Sequence, residues 1–274
     1  MHPDWLIPDW PAPPRVRAVF STRAGGVSSG VYDSMNLGDH VGDAPEAVLA
    51  NRDRLARALG ARPVFMRQVH GYGMLGLSSQ TRDGLVADGA WALTPDLACT
   101  VMVADCLPIL LTHDTLSVVA ALHAGWRGLA GTASGAAGTQ VQGIVESGLA
   151  AMGQALGCSV ADMAPGLMAW LGPCIGPRAF EVGQEVRAAF VAADRAAGMH
   201  FAAGAPGKYW ADLPALARSR LHASGVSRVY GNDGGAPWCT VGHSAFFSHR
   251  RCSSRPGAAA GQTGGRMAAC IWLT

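Results

Sequence analysis

Ala104-Asp-Cys-Leu-Pro-Ile-Leu-Leu-Thr-His-Asp-Thr-Leu-Ser-Val-Val-Ala-Ala-Leu-His-Ala-Gly-Trp-Arg-Gly128 contains two apolar runs, Leu107 to Thr112 and Ser117 to Leu122, separated by His113-Asp114-Thr115-Leu116. This pattern predicts two adjacent strands joined by a tight turn. Cys106 then starts the first strand and His123 ends the second. Antiparallel pairing lays the start of one strand beside the end of its partner, so a thiol and an imidazole distant in sequence become neighbours. The following Ala-Gly-Trp-Arg-Gly reads as a turn with a close backbone approach and a fixed cation.

Upstream, Val16 to Thr22 reads as a strand running into Arg23-Ala-Gly-Gly-Val-Ser-Ser-Gly, a glycine-rich loop able to wrap an anion but lacking a Walker ending. Asp43 as N-cap, Pro45 in the first turn and Glu46 three residues on predict a helix to Gly60. Further strands are expected at Pro63 to Val69, Met74 to Leu77 and Ala98 to Val103, with a loop to Asp88-Gly89 before the last. Downstream, Leu129 to Leu156 reads as one long helix, weakened at its start by Gly131, Gly135 and Gly138. Leu167 to Leu171 is a buried strand, and helices follow at Gly183 to Ala193 and Asp212 to Ala223, the second capped by Asp212. Strands at Val226 to Tyr230, Ala245 to His249 and Met267 to Leu273 complete the pattern, with a glycine-rich loop expected over Ser253 to Gly265. Residues 1–14 form a Pro/Trp-rich extended lead-in; with no repeat and no linker, residues 15–274 read as one α/β domain.

Composition narrows the function classes. Of the 274 residues, 49% are hydrophobic and 15% charged, which describes a chain able to bury a large core. A net charge of +2 gives no electrostatic footprint for nucleic acid. Seven cysteines without a CxxC pair argue against a disulfide framework and for a reducing compartment, expected to be the cytoplasm. The N-terminus has no signal-peptide pattern and no run of about 18 apolar residues suggests a membrane span.

His70, Cys106 and His123 each fall where an expected strand gives way to a Gly- or Pro-containing turn. They lack the close ligand pairs of a zinc finger, but three N/S donors from separate strand ends suit a catalytic zinc with a fourth position open. Thiolate plus two imidazoles is a borderline-soft set, and Asp105 or Gln68 is placed to orient an imidazole. Taken singly, each residue is more often an inert buried cysteine or a satisfied strand-end histidine than a ligand. Without a metal, Cys106 with His123 or His70 as base would make a cysteine hydrolase acting on amide bonds, as in cell-wall precursors. Arg23, Arg67, Arg127, Arg250 and Arg266 all lie near expected strand ends or turns, where a guanidinium fork suits phosphate or carboxylate.

Phe20-Ser-Thr-Arg-Ala-Gly-Gly-Val-Ser, Asn36-Leu-Gly-Asp-His-Val-Gly-Asp, Gln68-Val-His-Gly, Ala104-Asp-Cys-Leu-Pro-Ile-Leu, His123-Ala-Gly-Trp-Arg-Gly, Gly172-Pro-Cys-Ile-Gly-Pro, Phe247-Ser-His-Arg-Arg and Gly265-Arg-Met-Ala run in order through nearly the whole chain. Together they resemble the YfiH-like, laccase-domain family. The resemblance implies a single α/β domain with mixed β-sheets sandwiched between helices, in αββα layers. It also implies a zinc ion held by His70, Cys106 and His123. The activity implied is purine nucleoside phosphorolysis of adenosine, inosine or methylthioadenosine with phosphate to free base and ribose 1-phosphate, with adenosine deamination as a side activity. Arg23, Asn36, Gln68 and Arg127, in the matching motifs, are the expected substrate-binding residues. The expected partners are a purine nucleoside and phosphate, with no nucleic acid and no membrane. The older polyphenol-oxidase description implies copper, which the residues favour less than zinc. None of the nine histidines is two positions from another, so the His-x-His pairs of a multicopper cluster are missing. Thr132 and Cys252 depart from the family pattern.

Overall fold

Leu107–His113 and Val119–Ala124 are buried along their whole length and pair antiparallel, with Pro108 opposite His123 and Thr112 opposite Val119. Continuous apolar sequence of this kind marks strands covered on both faces. The computed structural model describes residues 1–134, 140–255 and 263–274. In chain order the elements are β1 (Val16–Phe20), α1 (Pro45–Leu59), β2 (Arg62–Phe65), β3 (Met74–Gly76), β4 (Gly89–Ala92), β5 (Leu97–Val103), β6 (Leu107–His113), β7 (Val119–Ala124), α2 (Trp126–Ala130), β8 (Thr132–Ser134) and β9 (Gln140–Gln142). There follow α3 (Ile144–Leu156), α4 (Val160–Met163), β10 (Leu167–Leu171), β11 (Glu181–Gly183), α5 (Gln184–Ala193), β12 (Phe201–Ala203), β13 (Lys208–Ala211), α6 (Leu213–Ala223), β14 (Arg228–Gly231), α7 (His249–Ser253) and β15 (Met267–Leu273).

Two mixed sheets dominate. One has the order β1-β15-β5-β2 and the other β14-β10-β6-β7-β4-β3. Their facing sides interlock through Phe20, Val101 and Ile271 from the first sheet and Leu110, Ala121 and Trp170 from the second. On the outer face of the four-stranded sheet, Leu55 and Leu59 of α1 pack against Ala98, Met102 and Cys270. On the outer face of the six-stranded sheet, Leu149 and Met152 of α3 join Leu216 and Leu221 of α6 over Ile109 and Leu122. The layers are therefore α/β/β/α, as the resemblance implied. Close approach of α3 depends on Gly148, where a Cβ would lie 2.8 Å from Leu122 Cδ2.

Several expected elements differ. The long helix is shorter: α3 begins at Ile144, and the region before it holds α2, which ends at Gly131 (φ 65°), and the β8–β9 pair. A glycine in the left-handed region stops a helix that alanine content alone would continue. Part of that expected helix, 135–139, lies outside the described residues, as does 256–262 of the expected glycine-rich loop. No strand forms over Ala245 to His249. Ser248 Oγ instead accepts the Arg251 N–H at 3.1 Å and starts α7. Ala44, not Asp43, is the N-cap of α1; the Asp43 carboxylate is taken by Ser28 Oγ (2.6 Å) and Asn36 Nδ2 (2.9 Å). Asp212 does cap α6, accepting the Ala215 N–H at 2.9 Å. The lead-in is anchored by buried Trp5 and by a bridge between Leu6 and Phe20. No single helix among the described residues is long and apolar enough to cross a membrane.

Candidate metal centre and substrate cavity

Three chain segments meet where β6 begins and β7 ends. Cys106 immediately precedes β6, His123 is the penultimate residue of β7, and His70 comes from the loop between β2 and β3. One donor atom from each lies within 4.8 Å of the others. His70 (φ 61°) and Asp105 (φ 93°) both occupy left-handed backbone, a conformation that costs a non-glycine residue roughly 1–3 kcal/mol. Hydrogen bonds hold both. The Asp88 carboxylate accepts the backbone N–H groups of His70 and Gly71, each at 2.8 Å, and that of Val69 at 3.2 Å. Asp105 accepts from Thr240 Oγ1 at 2.5 Å and from the Arg250 N–H at 2.7 Å, while its carbonyl accepts from Ile175 at 2.9 Å.

Asp88 is fully buried and its Oδ1 also lies 2.9 Å from His123 Nδ1. Donation from Nδ1 to this carboxylate leaves Nε2 of His123 as the ring nitrogen for the cluster. Burial raises the Asp88 carboxyl, but the His123 hydrogen bond and charge outweigh it and hold the group below the usual carboxylate range. Burial likewise pushes the Cys106 thiol up, and the His123 and His70 imidazoles reverse this, so its net shift is downward. For His123, burial opposes the charge while Cys106 and Asp88 favour it, with a net upward shift. A thiolate and two imidazoles converging in this way, one fixed by a buried carboxylate, fit a borderline-soft divalent ion such as zinc.

The cluster opens into a cavity of about 380 Å³, within the size range of small-molecule sites. Met102, Val103, Ile175 and Phe180 give it an apolar wall, and Arg250, Arg266, His40 and His249 line its polar part. Arg250 lies with its guanidinium 5.9 Å from the Phe180 ring centroid and donates to the carbonyls of Ala179 and Glu181. Arg266 donates to Gly264 O at 2.8 Å, and burial depresses its guanidinium from the usual value.

The four residues expected to bind substrate are dispersed. Gln68 lines the cavity, with its amide paired to the Met102 backbone N–H and carbonyl, both at 2.8 Å. Asn36 is buried outside the cavity lining and accepts the backbone N–H groups of Gly38 (2.9 Å) and Arg266 (2.8 Å). Arg127 is exposed and stacks on Trp126, 4.4 Å from the ring centroid. Arg23 donates to Asp33 O at 2.7 Å and faces a different, smaller depression. Of the five arginines marked in the sequence, the cavity lining includes Arg250 and Arg266. Neither Asp105 nor Gln68 orients an imidazole; Asp88, which the sequence marks only as the end of a loop, does. The available signal was an Asp-Gly pair opening a strand next to β7, but nothing local separates it from a turn.

The family model described as multi-copper polyphenol oxidoreductase laccase matches residues 17–274. The chain is 46% identical over 273 residues to a purine nucleoside phosphorylase of Pseudomonas aeruginosa, covering 98% of each chain. It is 43% identical over 271 residues to the purine nucleoside phosphorylase YfiH of Escherichia coli, again covering 98% of each. Among solved structures, a Neisseria meningitidis protein superimposes with a TM-score of 0.84 at 40% identity, covering 98% of this chain and 99% of that one. With its fold and 98% of its length matched to these proteins, the chain belongs to the YfiH-like laccase-domain family.

Proposed function

We propose that the chain is a purine nucleoside phosphorylase that holds zinc at His70, Cys106 and His123. It cleaves adenosine, inosine or methylthioadenosine with phosphate and deaminates adenosine as a side activity. The observation that carries this reading is one cavity uniting the three-donor cluster with Arg250 and Arg266 beside an apolar wall. The printed activity of the Pseudomonas aeruginosa and Escherichia coli relatives supports it. Residues 15–274 act as one catalytic domain with 1–14 as lead-in, in a reducing compartment suited to seven free thiols.

In phosphorolysis a phosphate oxygen attacks C1′ of the ribose, the C1′–N9 bond breaks, and its electron pair leaves with the base, which takes up a proton. Arg250 and Arg266 bring cationic donors to the phosphate and hold it for attack. Phe180 and Ile175 cover the purine and exclude water from the bond that breaks. Zinc held by His70, Cys106 and His123 would supply Lewis acidity in the cavity. Asp88 keeps His123 in one tautomer, and Gln68 fixes the Met102 wall. Deamination breaks the C6–N bond of the adenine in the same space as water oxygen adds to C6, and the amine leaves as ammonia.

The test is product separation after incubation of zinc-replete protein with adenosine, with and without phosphate. Adenine and ribose 1-phosphate should form only with phosphate, and inosine without it; absence of both sets of products refutes the reading. A second reading, amide hydrolysis by Cys106 as nucleophile, draws on the Cys106–His123–Asp88 line of contacts. It requires an amidase activity in metal-free protein that alkylation of Cys106 abolishes. Under the first reading, zinc protects Cys106 from alkylation until chelator is added. Copper oxidation of phenols, the chemistry in the family model's description, requires stoichiometric copper in the purified protein.

A further inference from the structure

A second concentration of positive charge lies apart from the metal cavity. Arg23, Arg251 and Arg255 line a depression of about 80 Å³ that also takes in Gly30, Phe247 and Ser248, room for a few waters or one tetrahedral oxyanion. None of the three guanidinium groups has a carboxylate within ion-pair distance among the described residues. The stretch after Arg255, 256–262, has no Asp or Glu in its sequence. Burial, then the Arg23 charge and that of Arg255, hold Arg251 below the ordinary guanidinium value, although Asp105 opposes this.

Each arginine is placed for a different part of anion binding. Arg251 donates to the carbonyls of Thr240, Val241, His243 and Phe246, so its guanidinium is held in place in the lining of the depression. Arg23 is steadied by Asp33 O at 2.7 Å and by the Phe247 ring, whose centroid is 5.0 Å away. Its two terminal nitrogens have no hydrogen-bond partner among the described residues and remain available as donors. Arg255, exposed, stands at the rim. Ser248 is buried, and its hydroxyl accepts the Arg251 N–H at 3.1 Å. Solvation accounts for Arg255, whereas Arg23 and Arg251 are partly buried in one depression, where the Arg23 charge disfavours that of Arg251 and no carboxylate pairs with either among the described residues. An anion placed between them relieves that repulsion and gains charge-assisted, forked hydrogen bonds.

We propose that this depression is a second oxyanion site, separate from the nucleoside cavity, for inorganic phosphate or the terminal phosphate of a phosphate monoester. The site is joined to the cavity by two short paths, one along the chain and one through a hydrogen bond. Arg251 is adjacent to Arg250 on α7, and Gly264, which lines the depression, accepts a hydrogen bond from Arg266 at 2.8 Å. Anion binding there steadies the two segments that carry the cavity's arginines. The proposal does not depend on the phosphorylase reading, because its test measures binding.

Calorimetric titration of the whole protein with orthophosphate at constant ionic strength provides that test. In an Arg250→Gln protein, which weakens oxyanion binding in the cavity, a phosphate site remains; adding Arg255→Glu weakens it about tenfold or more. Arg23→Gln, read in the same background, weakens it likewise and guards against an effect peculiar to one variant, with circular dichroism confirming the fold. Titration with glycerol phosphate separates the two sources: displacement of bound orthophosphate assigns the monoester, and its failure assigns the inorganic ion. Loss of all phosphate binding in Arg250→Gln protein overturns the proposal, as does residual binding that neither Arg255→Glu nor Arg23→Gln alters.

Discussion

Asp88 Oδ1 stands 2.9 Å from His123 Nδ1, and the same carboxylate accepts the backbone N–H of His70 at 2.8 Å. One buried side chain thus sets the tautomer of one candidate ligand and the backbone of another. Asp88→Asn keeps the volume but presents an amide N–H₂ or a weaker acceptor to the imidazole. Zinc affinity should fall about 10–100-fold, read by competition with a chromogenic chelator. Unchanged affinity in a folded protein would remove Asp88 from the metal centre.

Gly125 caps the start of α2 directly beside the cluster. A Cβ there would lie 2.8 Å from His70 Cδ2 and 3.2 Å from Cys106 Sγ. Gly125→Ala should therefore displace His70 and lower phosphorolysis by about tenfold or more, with little change in melting temperature. Retained activity together with full zinc content would show that the cluster tolerates a shift the proposed geometry forbids.

Arg250 lines the cavity and its side-chain hydrogen bonds run to the carbonyls of Ala179 and Glu181 rather than to a buried carboxylate, so its removal breaks no buried ion pair. Arg250→Gln should raise KM for phosphate about tenfold or more while leaving KM for adenosine within a few fold. Equal effects on both substrates would point to a general distortion.

Away from the site, Arg220 Nε and Nη2 donate to Glu146 Oε1 and Oε2 at 2.9 and 2.7 Å, and Glu146 also accepts the Gly143 N–H at the start of α3. Arg220 is 8% exposed. Arg220→Met should cost about 2–3 kcal/mol, at or below the low end for a fully buried pair because the Glu146 end reaches solvent. Urea unfolding measures it, and activity at low temperature should persist. A loss below about 0.5 kcal/mol would place the pair with ordinary surface bridges.

The central hairpin could be read from the chain because its signal is local: two apolar runs, one turn, and a polar residue at each outer end. The structure pairs Pro108 with His123 and so brings Cys106 beside the imidazole, as that pattern required. His70 could be named from its strand-end motif, but its approach to the other two depends on a left-handed backbone that no single-residue preference reveals. Asp88 escaped notice because its role is a set of contacts to residues 17 to 35 positions away. The arginines show the same limit. Charge and turn placement marked five of them, and only tertiary packing selects Arg250 and Arg266 for the cavity and leaves Arg127 on Trp126. The helix expected from Leu129 failed for a local reason, since Gly131 with φ 65° ends α2 where composition favoured continuation.

The most direct test of the account follows adenine release from adenosine in three samples of the same protein: as purified with its metal content measured, stripped by chelator, and reloaded with zinc, each with and without phosphate. The account predicts about one zinc per chain, adenine release only with phosphate, loss on stripping, and recovery on reloading. Zinc-free protein that releases adenine at the full rate, or zinc-loaded protein that releases none, would contradict it.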